Sequence, residues 1–144
     1  HVVNGKNPIV AHEYIGGDIA GKDVIVVDDI IASGDSMMDV AHKLREMKAR
    51  RIFMFASFGL FCEGLEKIDA AYERGDFTYL FTTNLIYRSD ELKKRKWYVE
   101  VNLCKYVALL INTLNHDKSI SGLLSNAEKI TNLQKAHQNK HGND

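Results

Sequence analysis

Cysteine and proline are scarce in this sequence, which has two cysteines and one proline among its 144 residues. Cys62 and Cys104 do not form a C-x-x-C pair. This pattern argues against a disulfide framework and favours two reduced thiols in a cytoplasmic protein. No signal peptide and no apolar run of transmembrane length is visible, so we expect no membrane partner.

An excess of either charge sign is also missing. Lys plus Arg and Asp plus Glu both number 19, so the formal net charge is zero. A nucleic-acid-binding domain usually carries a basic excess, and we therefore expect no nucleic-acid partner. The basic run from Lys93 to Lys96 follows Asp90 and Glu91, which is typical of a solvated face. The first residue is His1 rather than Met, so we expect the chain to be part of a longer or processed protein.

Predicted strands alternate with predicted helices along the chain. Apolar runs predict strands over 9–14, 24–27, 52–57, 77–83 and 97–101, and helical periodicity predicts helices over 34–48, 63–74 and 103–115. This order predicts an α/β fold with a mainly parallel sheet flanked by helices. We expect one domain over 1–124, then a C-terminal helix and a frayed tail over 125–144. His137 and His141 lie in that tail without a third ligand, so no metal site is predicted.

The segment V-I-V-V-D-D-I-I-A-S-G-D-S-M, residues 24–37, carries the most chemistry. Its β-branched start is typical of a strand buried on both faces, and Asp28 and Asp29 are predicted at the carboxyl end of that strand. Ligands of open α/β sheets bind at this end. Two carboxylates can accept the hydroxyls of a sugar, while a small polar loop at a helix N-terminus can bind a phosphate. The pattern therefore suits a sugar phosphate.

A plain structural interpretation of the same residues carries about equal weight. Ser33 to Ser36 can form an ordinary helix N-cap, and the two carboxylates can cap a turn. Asp35 also opposes phosphate binding, because it brings a negative charge into the loop. Its side chain would have to point outward. No G-x-x-x-x-G-K-[ST] sequence occurs, which excludes a Walker loop.

The segment resembles the phosphoribosyl-diphosphate-binding motif of type I phosphoribosyltransferases, which has an apolar run, two acidic residues, two apolar positions and an [ST]-G-x-[ST] loop. Further segments extend the likeness. G-K-N-P-I-V-A-H-E-Y-I-G-G-D, F-A-S-F-G-L-F, T-T-N-L-I-Y and N-T-L-N-H-D-K-S-I-S-G-L-L are similar to the C-terminal part of ribose-phosphate pyrophosphokinases. The resemblance runs from about Asn4 to about Leu124. It implies part of a phosphoribosyltransferase-like domain.

The resemblance assigns roles to seven residues. It implies that Asp28 and Asp29 contact the ribose hydroxyls of ribose 5-phosphate. It also implies a phosphate cradle with one residue at its entry and four in the loop: Ala32, Ser33, Gly34, Asp35 and Ser36. The family often has Asp at the position of Ala32 and Gly at the position of Asp35, so this sequence departs from the family pattern at both ends of the cradle.

The resemblance further implies a reaction. The anomeric hydroxyl of ribose 5-phosphate attacks the β-phosphate of ATP, AMP leaves, and Mg²⁺ neutralises phosphate charge. In the family, the ATP-binding and basic groups precede the segment seen here, so we expect a C-terminal fragment that is inactive alone. We assign no catalytic residue. An open sheet edge beside the strand at 24–27 would favour a homo-oligomer.

Two other functions stay open at this point. A nucleobase phosphoribosyltransferase shares the loop, although no base-recognition hood is visible. A non-catalytic relative that binds phosphoribosyl ligands and regulates a partner would share it too. The sequence upstream of His1 would separate catalysis from regulation.

Overall fold

The computed structural model describes residues 16–121 and 127–141. The strand predicted over 9–14 lies outside these residues. The chain forms two compact units that divide between Asn102 and Leu103. The domain boundary predicted after residue 124 falls within 122–126, outside the described residues, and stays a prediction.

In its described residues, the first unit is a parallel sheet of four strands with helices in the connections. Its elements in chain order are β1 (Asp23–Ile31), α1 (Asp35–Glu46), β2 (Arg51–Gly59), α2 (Glu66–Glu73), β3 (Tyr79–Thr83), α3 (Asp90–Lys93) and β4 (Tyr98–Val101). The strands lie in the order β1-β2-β3-β4, and each neighbouring pair is parallel. The predicted α/β class with its parallel sheet and flanking helices is confirmed. The sequence pattern did not predict the short helix α3.

Strand β1 is longer than its sequence pattern predicts. It pairs with β2 from Asp23 opposite Arg51 to Ile31 opposite Gly59. The acidic pair therefore lies within the last four residues of the strand and not after it. The hydrogen bonds between β1 and β2 continue beyond the apolar run at 24–27. The strand is therefore longer than the apolar residues alone predict.

One face of the sheet builds the core. Ile52 and Met54 of β2 and Leu80 of β3 are fully buried, as are Ala41 of α1 and Ile68 of α2. Every second residue of a strand points to the same face, so these three sheet residues pack together beneath the two helices. The amphipathic pattern predicted for residues 34–48 is confirmed by the buried side chains of α1, which are Met37, Met38, Ala41 and Leu44.

The prediction that the first strand is buried on both faces is wrong. Ile25 is 65% exposed and Val27 is 75% exposed. They alternate with Val24 and Val26, which pack against the core. Among the described residues β1 pairs only with β2, so it is an edge strand. The exposure of Ile25 and Val27 shows that one of its faces is not covered by these residues.

The described residues of the second unit include two long helices. Helix α4 spans Cys104–Asn115 and helix α5 spans Ala127–His141. Both predicted helices are thus found, and no residue of α4 is buried. None of the helices in the described ranges combines the length and apolar character that crossing a membrane requires.

Candidate functional site

The turn from β1 into α1 requires glycine at position 34. Gly34 occupies the N-cap of α1 with φ 94° and ψ −11°, in the left-handed region that side chains disfavour. A Cβ atom there would lie 3.2 Å from Cδ1 of Ile68 and 3.4 Å from its Cγ1. Helix α2 therefore packs closely against the turn. Because Gly34 has no side chain, the N-terminus of α1 receives no side-chain cap from this residue.

A cavity of about 130 Å³ opens between this turn and the end of β1. Five of the seven predicted site residues line it, namely Asp28, Ala32, Ser33, Gly34 and Ser36. The helix begins at the wall of this cavity, since the Met38 N–H donates to the Gly34 carbonyl at 2.9 Å. Earlier N–H groups of a helix have no intrahelical carbonyl to bind, and they give its N-terminus a partial positive charge.

The acidic pair faces solvent at the entrance to this turn. Asp28 and Asp29 are both exposed, and the Asp29 N–H donates to Oδ1 of Asp28 at 2.8 Å. Neither carboxylate forms an ion pair with another of the described residues. Asp28 lines the loop cavity and also a second cavity of about 200 Å³, which Ser57 and Thr83 share.

Asp35 does not line the loop cavity. Its Oδ1 accepts a hydrogen bond from Nζ of Lys67 at 2.8 Å, and its Oδ2 accepts from the Ser33 hydroxyl at 3.2 Å. The Asp35 N–H in turn lies 3.3 Å from the Ser33 Oγ, which accepts it. The carboxylate thus turns toward α2, in agreement with the outward orientation that phosphate binding would need.

Lys67 is a residue that the sequence pattern did not point to. It also donates to Oε2 of Glu63 at 2.7 Å. The pKa of the Lys67 ammonium is raised above its ordinary value, mainly by the hydrogen bond to Asp35 and then by the hydrogen bond to Glu63. The partners Lys67 and Asp35 lie on different helices, so no local spacing rule relates them.

The turn from β2 into α2 supports the first turn. Leu60 donates its N–H to the Ile31 carbonyl at 2.8 Å, and Cys62 donates its N–H to the Ala32 carbonyl at 2.9 Å. The strand predicted over 52–57 extends to Gly59, so Ser57, Phe58 and Gly59 all belong to β2. Thr83 holds that strand through a hydrogen bond from its hydroxyl to the Ser57 carbonyl at 2.6 Å.

A metal centre is not formed by the described residues alone. Within 16–121 and 127–141, no three His, Cys, Asp or Glu side chains cluster so that they could hold a metal ion. The Mg²⁺ that the resemblance implies therefore stays a prediction.

Comparison with known proteins agrees with this arrangement. A family model described as "Phosphoribosyl synthetase-associated domain" matches residues 2–125. The chain belongs to this family. The predicted family resemblance is thereby confirmed.

Individual relatives of the phosphoribosyl synthetase-associated family share moderate identity with the chain. The ribose-phosphate pyrophosphokinase of Pasteurella multocida is 30% identical over 112 residues, which are 78% of this chain and 35% of that protein. The enzyme of the same name from Mycoplasmopsis pulmonis is 30% identical over 108 residues, 74% of this chain and 32% of that protein. That from Pyrococcus abyssi is 46% identical over 55 residues, 38% of this chain and 19% of that protein.

A solved structure shares the fold. The phosphoribosylpyrophosphate synthetase from Mycobacterium smegmatis aligns with a TM-score of 0.61 at 20% identity, covering 71% of this chain and 33% of that one. The chain thus spans about a third of the length of relatives that it matches along most of its own length.

Proposed function

We propose that this chain supplies the ribose 5-phosphate-binding part of a ribose-phosphate diphosphokinase, which makes phosphoribosyl diphosphate and AMP from ribose 5-phosphate and ATP. The observation that carries the proposal is the β1–α1 turn. A left-handed glycine opens the N-terminus of α1 beside an exposed acidic pair, in a chain of the phosphoribosyl synthetase-associated family.

The proposed binding divides between two chemical groups. The phosphate lies at the N-terminus of α1, where backbone N–H groups and the Ser33 and Ser36 hydroxyls donate to it. The Asp28 and Asp29 carboxylates accept hydrogen bonds from the ribose hydroxyls. Such charge-assisted bonds are about twice as strong as neutral ones, which suits a ligand held at both ends.

Phosphoryl transfer adds requirements that the described residues do not meet by themselves. Mg²⁺ neutralises phosphate charge when it is bound with ATP in reactions of this class. The described residues form no cluster of three potential metal ligands. The proposed role of this chain's own residues is to bind and orient ribose 5-phosphate.

Isothermal titration of the 144-residue chain tests the proposal directly. We expect it to bind ribose 5-phosphate and, more weakly, inorganic phosphate, because inorganic phosphate makes only the loop contacts. Ribose without phosphate should bind more weakly than ribose 5-phosphate. Equal heats for ribose 5-phosphate and buffer, in a chain whose circular dichroism shows the α/β fold, would refute the proposal.

We also propose that the chain forms a homo-oligomer in the cytoplasm. Among the described residues one edge of β1 is unpaired, and Ile25 and Val27 are exposed on one of its faces. Both features support self-association, because unpaired strand edges bind other chains. Light scattering at several concentrations measures the mass. A monomer at all of them would contradict this part of the proposal.

A further inference from the structure

One cationic side chain reaches the loop from the neighbouring helix. Lys67 lies in the first turn of α2, and its Nζ is 2.8 Å from Oδ1 of Asp35 in the first turn of α1. Its second contact, at 2.7 Å, is Oε2 of Glu63. Through this ion pair, Lys67 therefore connects α2 to the loop between β1 and α1.

Asp35 creates an electrostatic conflict at this position. The N-terminus of a helix attracts anions, so a carboxylate in the first turn and a bound phosphate occupy the same favourable field and repel each other. The carboxylate also accepts a hydrogen bond from the Ser33 hydroxyl, a group that lines the loop cavity. Without compensation, Asp35 would oppose an anionic ligand through its charge and would compete with it for Ser33.

We infer that Lys67 is a positioning residue for the phosphate loop: it holds the Asp35 carboxylate outside the cavity and cancels its charge, so that the loop accepts a phosphate ester. This inference rests on the proposed function. Asp35 is absent from the residues that line the loop cavity, as this arrangement requires. Its hydrogen bonds with both carboxylates raise the pKa of Lys67, which keeps the ammonium charged over the physiological pH range.

The test is a double-mutant cycle read by ribose 5-phosphate titration of the 144-residue chain. Lys67→Met should weaken binding about threefold to tenfold, because the negative charge of Asp35 beside the phosphate is then no longer offset by the Lys67 ammonium. Asp35→Asn should strengthen binding, because it removes the repelling charge. The double variant should bind much more tightly than Lys67→Met, since Asp35→Asn removes the negative charge that Lys67 cancels in the wild type.

Two further variants separate charge compensation from general effects. Lys93→Met is the matched control, since its Nζ pairs with Oδ1 of Asp90 at 3.2 Å and its side chain is 45% exposed, against 53% for Lys67. Its affinity should equal that of the wild type. Lys67→Arg keeps the charge and should retain most of the affinity.

The outcomes distinguish this inference from the proposed function. If the wild type does not bind ribose 5-phosphate, the proposed function and this inference both fail. If the wild type binds and Lys67→Met binds equally well, only the inference fails. It also fails if the double variant binds ribose 5-phosphate as weakly as Lys67→Met does. Lys67 would then contribute by contacting the ligand directly or by stabilising the fold, and not by offsetting the charge of Asp35. Should Lys67→Met not fold, weaker binding by Asp35→Asn alone overturns the inference.

Discussion

The two ends of the parallel sheet use their charges differently. At the amino end, Asp23 of β1 accepts hydrogen bonds from Arg50 at 2.9 Å and from Arg51 at 3.0 Å. Arg45 lies near this end as well, and it donates to the Gly75 carbonyl at 2.6 Å and to the Ala49 carbonyl at 2.9 Å. These charged side chains at the amino end thus bind other side chains or backbone carbonyls of the same sheet and its connections.

At the carboxyl end, Asp28 and Asp29 stand next to each other and form no ion pair within the described part of the chain. Adjacent carboxylates repel, so this arrangement does not stabilise the fold. The contrast teaches how to separate structural from binding charges. Removal of a charge at the amino end should cost stability, and removal of one of the acidic pair should cost affinity.

The largest expected effect separates binding from turnover. We predict that residues 1–144, with Mg²⁺, ATP and ribose 5-phosphate, release no AMP above background, although they bind the sugar phosphate. Loss of one electrostatic contact to a transition state can lower a rate about a hundredfold or more, and phosphoryl transfer relies on several. Chromatography of AMP measures the outcome.

A full-length ribose-phosphate pyrophosphokinase from among the relatives is the positive control for this assay and should turn over. AMP release by the 144-residue chain itself, abolished by Asp28→Ala, would contradict the prediction. It would mean that this chain binds ATP through residues assigned here to its surface.

The second prediction compares two left-handed glycines at the carboxyl end. Gly34→Ala should destabilise the fold by about 1–2 kcal/mol and abolish ribose 5-phosphate binding, because φ is 94° and the new Cβ meets Ile68 at 3.2 Å. Gly64, in the next strand–helix connection, has φ 86°, and its Cβ would meet Glu66, a flexible side chain. Gly64→Ala is therefore the matched control. It should lower stability similarly and leave binding measurable.

Chemical denaturation and titration of both variants give the answer. If Gly64→Ala abolishes binding as fully as Gly34→Ala does, then backbone strain anywhere at this end disrupts the site. The specific role of the β1–α1 turn would then be lost.

Local patterns predicted most of the first unit's fold. The apolar runs around Val24 and Ile52 marked two strands because buried parallel strands concentrate β-branched and aromatic residues. The exposure of Val27 could not be predicted in the same way. It depends on which strand lies at the edge of the sheet and on what covers each face, and neither follows from a local run.

The sequence predicted several residues that line the candidate site, but it did not predict the contacts that hold them in position. The spacing of Asp28 and Gly34 predicted that the acidic pair and the glycine turn lie near each other. Asp28 and Gly34 do line one cavity, whereas Asp29 does not. Lys67 was missed because it lies 32 residues from Asp35. Such a contact exists only after β1–α1 and β2–α2 have packed side by side, so no short motif contains it.

The third prediction removes one member of the acidic pair. Asp29→Ala should lower the affinity for ribose 5-phosphate about tenfold to hundredfold, because charge-assisted hydrogen bonds contribute about 1.5–3 kcal/mol. The affinity for inorganic phosphate should change little. The melting temperature should not fall, because the change relieves repulsion with Asp28. Titration and thermal unfolding measure both quantities.

The control for this variant is Glu73→Ala, which removes an exposed carboxylate at the last residue of α2. Its affinity for ribose 5-phosphate should match the wild type. If Asp29→Ala also leaves that affinity unchanged while the fold stays intact, Asp29 does not contact the sugar.

The smallest expected effect lies at the amino end. Hydrogen bonds from Arg51 and Arg50 hold the pKa of the Asp23 carboxyl well below its usual range. A carboxyl with a lowered folded-state pKa contributes stability that is complete above its unfolded pKa of about 3.9 and declines as the pH falls below that value. Asp23→Asn should therefore lower the urea midpoint measurably at pH 7, and the deficit should shrink as the pH drops below about 4. Its affinity for ribose 5-phosphate should stay at the wild-type value, unlike that of Asp29→Ala. A deficit of the same size at every pH would show that Asp23 contributes through packing rather than through its charge, and the contrast between the two ends of the sheet would lose its electrostatic basis.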